Sequence, residues 1–200
     1  MFVLAAQVLD RLLDLPAQEL ESARQAALNE RDDIVSEYVR EAARLSPFPG
    51  VIWRYCEEDA ALARGTSREH AVPAGRLVAL LINAANRDPR VYAEPERFSL
   101  QRAPKPTPMF GDGMHACMGE HIGMAAVCEI AKVVLAQPEL RRAPGEVGRL
   151  RRGAKGSFPE GVFPASLCVE LHHQNGLASR RPSAPPRAAQ NALMDPAGLR

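Results

Sequence analysis

The sequence predicts a mainly helical chain with a few short strands. Apolar residues recur at helical spacing in the first 45 residues and again after residue 119, whereas the centre holds short apolar runs separated by turn residues. Hydrophobic residues make up 46% of the 200-residue chain and charged residues 24%, which is typical of a globular protein. The net charge of +1 predicts no surface for nucleic acid or for an anionic membrane.

Three helices are predicted before residue 46. The first covers residues 2–14 and ends at Pro16, because proline stops or redirects a helix. The second covers residues 17–29, which are rich in Ala, Glu and Gln. The third covers residues 33–45 and carries an apolar face; the proline-containing stretch 46–50 ends it.

The centre of the chain predicts strands followed by an irregular stretch. Val51–Trp53 and Ala60–Ala63 are short apolar runs compatible with strands. Arg76–Leu81 predicts either another short strand or a strand that runs into a helix. Residues 86–108 are polar and rich in proline, so we expect an ordered stretch with little regular structure.

A fourth helix and a last strand are predicted in the C-terminal part. Apolar residues at helical spacing from Ile122 onward predict a helix that ends before Pro138. Ser166–Leu171 predicts a strand. Residues 172–200 contain few large apolar groups and much Pro, Ala, Ser and Arg, so we predict a disordered tail after one folded region of residues 1–171.

The ten residues 110–119 form the most informative motif, with the sequence Phe-Gly-Asp-Gly-Met-His-Ala-Cys-Met-Gly. Gly111, Gly113 and Gly119 allow the backbone to turn tightly and to approach a flat partner closely. Cys117 comes just before the fourth predicted helix, and the N-terminus of a helix favours a thiolate. Such a thiolate is a suitable axial ligand for haem iron. The alternative is a buried structural cysteine in a glycine-rich turn.

These ten residues resemble the haem-binding loop of the cytochrome P-450 family, whose pattern is F-G-x-G-x-H-x-C-x-G. The resemblance implies that Cys117 is the ligand of the iron in haem b (iron protoporphyrin IX). It also implies that Phe110 and the three glycines form the loop beside the haem, and that His115 and Arg54 meet the haem propionates. By itself, Arg54 could equally be a surface arginine.

Three further segments carry the same resemblance. Glu41 and Arg44 are neighbours on one helix face and match the family's E-x-x-R motif, although alone they would suggest a surface ion pair. Residues 95–98 match the family's P-E-R-F motif, so the resemblance implies that Arg97 joins Glu41 and Arg44 in a buried network behind the haem. Residues 85–89 match its A-N-R-D-P segment, for which we expect a structural role.

The resemblance implies the C-terminal half of the cytochrome P-450 fold, mainly α with small antiparallel β-sheets. The implied activity is that of a haem-thiolate monooxygenase, which inserts one oxygen atom of dioxygen into a small organic substrate and takes electrons from a redox protein. The family's oxygen-activating helix would precede Phe2, so no catalytic residue is assigned. Two alternatives stay open: a haem-thiolate isomerase or peroxygenase that is part of a longer chain, and an inactive truncated fragment.

The cysteines and the N-terminus predict the compartment. The four cysteines form no C-x-x-C pair and no dense framework, so we expect reduced thiols in a cytoplasmic protein. The apolar N-terminus lacks a basic leader region and is soon interrupted by charged residues, so it predicts neither a signal peptide nor a membrane span.

Overall fold

The segments with helical spacing form the four long helices of the structure. A computed structural model describes residues 2–102, 107–153 and 164–171. All four long helices lie in the predicted segments, and their ends differ from the predicted ones by at most a few residues. They are α1 (Phe2–Leu12), α2 (Ala17–Leu28), α3 (Asp32–Leu45) and α5 (Glu120–Leu135); the short helix α4 (Ile82–Ala85) lies between α3 and α5 in the chain.

The hydrophobic core lies where α3 packs against α1, α2 and α5. Each of these helices presents its apolar stripe to the others, because burying that stripe supplies most of the stability of a helix in a protein. Two charged residues of α3, Glu41 and Arg44, are buried as well. The largest fully buried core side chains are Val8, Leu12, Val35, Val39, Leu45, Val127 and Leu135.

The described strands form four two-stranded antiparallel sheets, as the resemblance implied. One predicted strand is shorter than expected, because Ala63 adopts a positive φ of 51° that ends β2. The pairs are β1 (Val51–Tyr55) with β4 (Leu77–Leu81), β2 (Ala60–Leu62) with β3 (His70–Val72), β5 (Arg141–Arg142) with β8 (Val169–Glu170), and β6 (Arg151–Arg152) with β7 (Pro164–Ser166).

The last predicted strand, Ser166–Leu171, is wrong as a single element. The structure divides this region between β7 and β8, with residues 167 and 168 between them, and the two strands belong to different sheets. The apolar run has no residue that marks this change of partner. The break allows the Cys168 N–H to donate to the carbonyl of Val147 at 3.3 Å.

The connection after β4 leads toward the site. β4 runs directly into α4 (Ile82–Ala85), so the second of the two alternatives for residues 76–81, a strand that runs into a helix, is the one observed. The chain then enters the core at Asn86, whose side chain is fully buried. Residues 86–102 contain no helix or strand, as predicted. The predicted tail, residues 172–200, lies outside the described residues, and within the described ones no helix has the length and apolar character needed to cross a membrane.

Candidate functional site

The glycine-rich loop consists of two short 3-10 turns in succession. The first turn, Pro108–Phe110, is capped by Thr107, whose hydroxyl oxygen accepts the N–H of Met109 at 3.3 Å. The second turn, Gly113–His115, is capped by Asp112, whose carboxylate accepts the N–H of Gly113 at 2.8 Å. Side-chain caps of this kind satisfy N–H groups that have no partner within the turn. Both turns therefore begin at a residue suited to capping.

The loop closes on itself at Gly111. The N–H of Cys117 donates to the carbonyl of Phe110 at 2.7 Å, which brings the end of the loop back to its start. Gly111 has a φ of 72°, and a Cβ atom added there would lie 2.3 Å from the carbonyl oxygen of His115. Only glycine permits this close crossing of the backbone. Gly113 also has a positive φ, of 57°, so two of the three predicted glycine positions are required by the turn itself.

The thiol of Cys117 lies at the surface just before α5. Cys117 is exposed, and a Cβ atom added to Gly119 would lie 3.8 Å from its sulfur atom, in ordinary contact. The neighbouring apolar side chains are also open to solvent: Met114 is 98% exposed, Met118 is 100% exposed and Ile122 is 77% exposed. The structure thus places an exposed thiol beside exposed apolar side chains, and the alternative of a buried structural cysteine is wrong.

The other residues predicted to contact a cofactor lie in two places, the cysteine loop and β1. Phe110 is half-buried and packs against the core, whereas His115 is exposed on the second turn. Arg54 lies on β1, where its guanidinium donates to the carbonyl of its neighbour Trp53 at 3.0 Å. Of the predicted cofactor-binding residues, only Arg54 lies outside the cysteine loop, and the described hydrogen bonds do not join it to that loop.

Behind the loop, Glu41 and Arg44 form a buried ion pair. Their side chains are 7% and 6% exposed, and Arg44 donates from Nε and Nη2 to the two carboxylate oxygens of Glu41, both at 2.8 Å. The remaining nitrogen of Arg44, Nη1, donates to the carbonyls of Asn86 and Pro95, both at 2.8 Å. The Tyr92 ring lies 5.0 Å from the guanidinium carbon, within reach of a cation–π contact. Through Arg44, the E-x-x-R pair therefore joins α3 to the irregular stretch at Asn86 and Pro95.

The expectation for Arg97 requires a correction. Its side chain is 69% exposed and pairs with Glu94, also 69% exposed, at 3.0 Å. Only the backbone carbonyl of Arg97 reaches the cluster, where Arg44 donates to it at 3.3 Å. Arg102 supplies the second guanidinium, since its Nε donates to Glu41 Oε1 at 3.0 Å and its side chain is 16% exposed. We refer to Glu41, Arg44 and Arg102 as the buried cluster.

Nothing in the sequence indicated that Arg102 takes this place. Both arginines lie in the irregular stretch, and a chain without regular structure does not reveal which side chain turns inward. The match to P-E-R-F favoured Arg97, but Arg97 follows Glu94 by three residues and so has a nearby partner at the surface. Arg102 instead donates to the carbonyls of Ala93, Glu94 and Arg97, which a planar guanidinium with five N–H donors can reach together.

The residues of the loop fit a haem. A thiol is the donor that a haem-thiolate centre requires, and the exposed side chains of Met114 and Met118 offer the apolar surface that a flat macrocycle would cover. Nothing lies within 4 Å of the place where a Cβ atom would stand on Gly113, so the loop backbone is open to close approach there, whereas at Gly111 that space is taken by the carbonyl of His115. His115 and Arg54 carry the imidazole and guanidinium groups that carboxylates bind.

Comparison with known proteins agrees with this geometry. The sequence model of the family described as Cytochrome P450 matches residues 22–137, more than half of the chain. The chain belongs to the cytochrome P450 family. The matched segment includes the buried cluster, the glycine-rich loop and α5, so the P450 assignment rests on the residues that build the candidate site.

Curated relatives match about two thirds of this chain at moderate identity. The chain is 32% identical over 120 residues to the biotin biosynthesis cytochrome P450 of Bacillus subtilis, covering 60% of this chain and 29% of that protein. It is 32% identical over 136 residues to the C-19 steroid 1alpha-hydroxylase of Sorangium cellulosum, covering 67% and 33%. It is 29% identical over 130 residues to a bifunctional dioxygenase–epoxy alcohol synthase of Pyricularia oryzae, covering 65% and 11%. The chain thus spans a third or less of the length of these relatives.

Solved P450 structures match most of this chain. CalO2 matches with a TM-score of 0.69 and 27% identity over 86% of this chain and 40% of that chain. P450BioI, solved in complex with an acyl carrier protein ligated to hexadec-9Z-enoic acid, matches with a TM-score of 0.62 and 26% identity over the same shares. These matches confirm the fold class: the described helices and small antiparallel sheets form a partial region of the P450 fold.

Proposed function

We propose that this chain is the haem-binding part of a haem-thiolate monooxygenase in which Cys117 is the ligand of haem b iron. The observation that carries the proposal is the exposed thiol of Cys117 in the closed glycine-rich loop, in a chain of the P450 family. When bound, haem supplies the activation of dioxygen and the insertion of one oxygen atom into a small organic substrate, with electrons from a redox protein.

The residues of the chain bind and orient the group. Cys117 would provide the sulfur ligand from the loop just before α5. His115 and Arg54 are proposed to hold the two propionates, one from the loop and one from β1. The buried cluster joins α3 to the irregular stretch that leads into the loop.

A haem titration of the 200-residue chain tests the ligand. Where haem binds, we expect the wild-type chain to give a carbon-monoxide difference band shifted to the red of that of a histidine-ligated haem, and Cys117→Ala to lose that band. Cys168→Ala is the matched control, because Cys168 is also an exposed free cysteine. A band that persists in Cys117→Ala contradicts the ligand assignment. A wild-type chain that binds no haem would favour the alternative of an inactive part.

A second function is favoured by one relative. The Pyricularia oryzae protein is named a bifunctional dioxygenase–epoxy alcohol synthase, which suggests that a haem-thiolate isomerase or peroxygenase uses the same region in a longer chain. Such an enzyme starts from an already oxidised substrate. Turnover of a hydroperoxide without reduced nicotinamide and a redox protein would favour this alternative, whereas a strict need for both favours the monooxygenase.

A further inference from the structure

The buried amide of Asn86 links the buried cluster to the cysteine loop. Its side chain is fully buried and both ends of the amide are used. Nδ2 donates to the carbonyl of Arg44 at 3.1 Å, and Oδ1 accepts the hydroxyl of Thr107 at 3.1 Å. Because the carbonyl of Arg44 can only accept a hydrogen bond, the NH2 end of the Asn86 amide must be the end that faces it. Arg44 returns a bond from Nη1 to the backbone carbonyl of Asn86 at 2.8 Å.

The hydroxyl of Thr107 joins the Asn86 amide to the first turn of the loop. It donates its proton to Asn86 and accepts the N–H of Met109 at 3.3 Å, so one oxygen serves both sides. Met109 is buried, and its sulfur atom accepts the N–H of Phe48 at 3.3 Å, which anchors the same turn to the segment that follows α3. The last residue of that turn is Phe110, whose carbonyl holds the N–H of Cys117 at 2.7 Å.

We infer that Asn86 and Thr107 are positioning residues that set the place of Cys117 from the buried cluster. The path runs from Arg44 through the Asn86 amide and the Thr107 hydroxyl to the turn that ends at Phe110. The role of these residues toward haem rests on the proposed function, because it requires Cys117 to be the ligand. Their role in holding the Cys117 backbone does not depend on haem and can be measured without it.

Thr107→Val tests the connection with little change of shape. Valine leaves the buried Oδ1 of Asn86 and the N–H of Met109 without the hydroxyl, and such losses weaken local structure. In the 200-residue chain we expect amide hydrogen exchange of the Cys117 N–H, followed by NMR, to rise about tenfold. Thr107→Ser keeps the hydroxyl and should exchange as the wild type does. The amide of Val127, in the middle of α5, reports whether the whole fold has loosened.

Thr66→Val is the matched control. The hydroxyl of Thr66 also joins a turn, donating to the carbonyl of Ala63 at 2.7 Å and accepting the N–H of Arg68 at 3.2 Å, but this turn is exposed. We expect no change at Cys117. If Thr107→Val does not fold, Thr107→Ala removes the same hydroxyl and leaves room for water. Unchanged exchange at Cys117 in the hydroxyl-deleted variant, or an equal rise in Thr66→Val, overturns the inference.

The haem-loaded proteins separate this inference from the proposed function. We expect Thr107→Val to lower the fraction of bound haem that shows the thiolate band and Thr107→Ser to restore it. A full thiolate band in Thr107→Val overturns the positioning role toward haem. If the wild-type chain shows no thiolate band, the proposed function fails, while the exchange rates still decide whether Asn86 and Thr107 place Cys117.

Discussion

Arg97 and Arg102 allow a direct test of how the buried cluster stabilises the protein. We expect Arg102→Met to destabilise the fold and Arg97→Met to leave the free energy of unfolding almost unchanged. Arg102 is 16% exposed and bonded to Glu41, whereas Arg97 is 69% exposed and paired with an equally exposed Glu94. The two substitutions are identical in chemistry and lie five positions apart.

The charges around Glu41 set the expected magnitudes. Arg102→Met removes one hydrogen bond to a charged group, about 1.5–3 kcal/mol, and leaves Glu41 and Arg44 as a balanced pair. The carbonyls that Arg102 releases lie near solvent and can bind water. Glu41→Gln leaves two buried guanidiniums without their carboxylate, which should cost about 3–5 kcal/mol. For the exposed pair of Arg97 and Glu94 we expect at most about 0.5 kcal/mol.

Urea unfolding followed by far-ultraviolet circular dichroism measures these differences. A double-mutant cycle of Glu41→Gln with Arg102→Met should give a coupling free energy above about 1 kcal/mol, because the two side chains are in contact. The same cycle with Arg97→Met should give a coupling near zero. Equal losses of stability for the two arginine variants would refute the assignment of Arg102 to the cluster.

Three further predictions follow from single groups. Burial and a hydrogen bond to Glu19 raise the pKa of Tyr38 above its usual 10.0, so the unfolded chain loses this proton first as pH rises, and the free energy of unfolding falls. Urea unfolding at about pH 9 and about pH 11 should show this fall, and the fall should be smaller in Tyr38→Phe. Burial raises the pKa of the Cys128 thiol, so mass spectrometry should find slower iodoacetamide labelling there than at exposed Cys168, and equal rates would contradict this. Gly111→Ala should destabilise the chain more than Gly65→Ala in urea unfolding, because both have a positive φ but only Gly111 faces a backbone oxygen.

The long helices could be predicted from sequence because their signal is local. Apolar spacing at 3.6 residues per turn marks the buried stripe of a helix before any partner is known. Strand partners lack such a signal, since a short apolar run does not say which other run it joins. This is why Ser166–Leu171 was predicted as one strand, although its ends pair with β6 and with β5 in separate sheets.

The site was predictable to the extent that one local motif builds it. The cysteine loop is a continuous segment whose glycines and cysteine act through their own backbone, and the structure places them together. The support behind the loop is different, because Asn86, Arg102 and Thr107 meet through the folded irregular stretch. Asn86 lies in the A-N-R-D-P segment, which the sequence identifies, but only the folded structure shows that both ends of its amide form hydrogen bonds.

The way Cys117 is held separates its chemistry from its structural role. The contacts that hold it are made by its backbone: its N–H donates to Phe110 at 2.7 Å, and its carbonyl accepts the N–H of Glu120 at 3.2 Å. The side chain is exposed, so Cys117→Ala removes little packing and should change the free energy of unfolding by at most about 0.5 kcal/mol. Urea unfolding of the haem-free chain checks this. A stable Cys117→Ala chain without the thiolate band would locate the loss in the ligand, whereas a variant that unfolds would show that the thiol supports the loop itself.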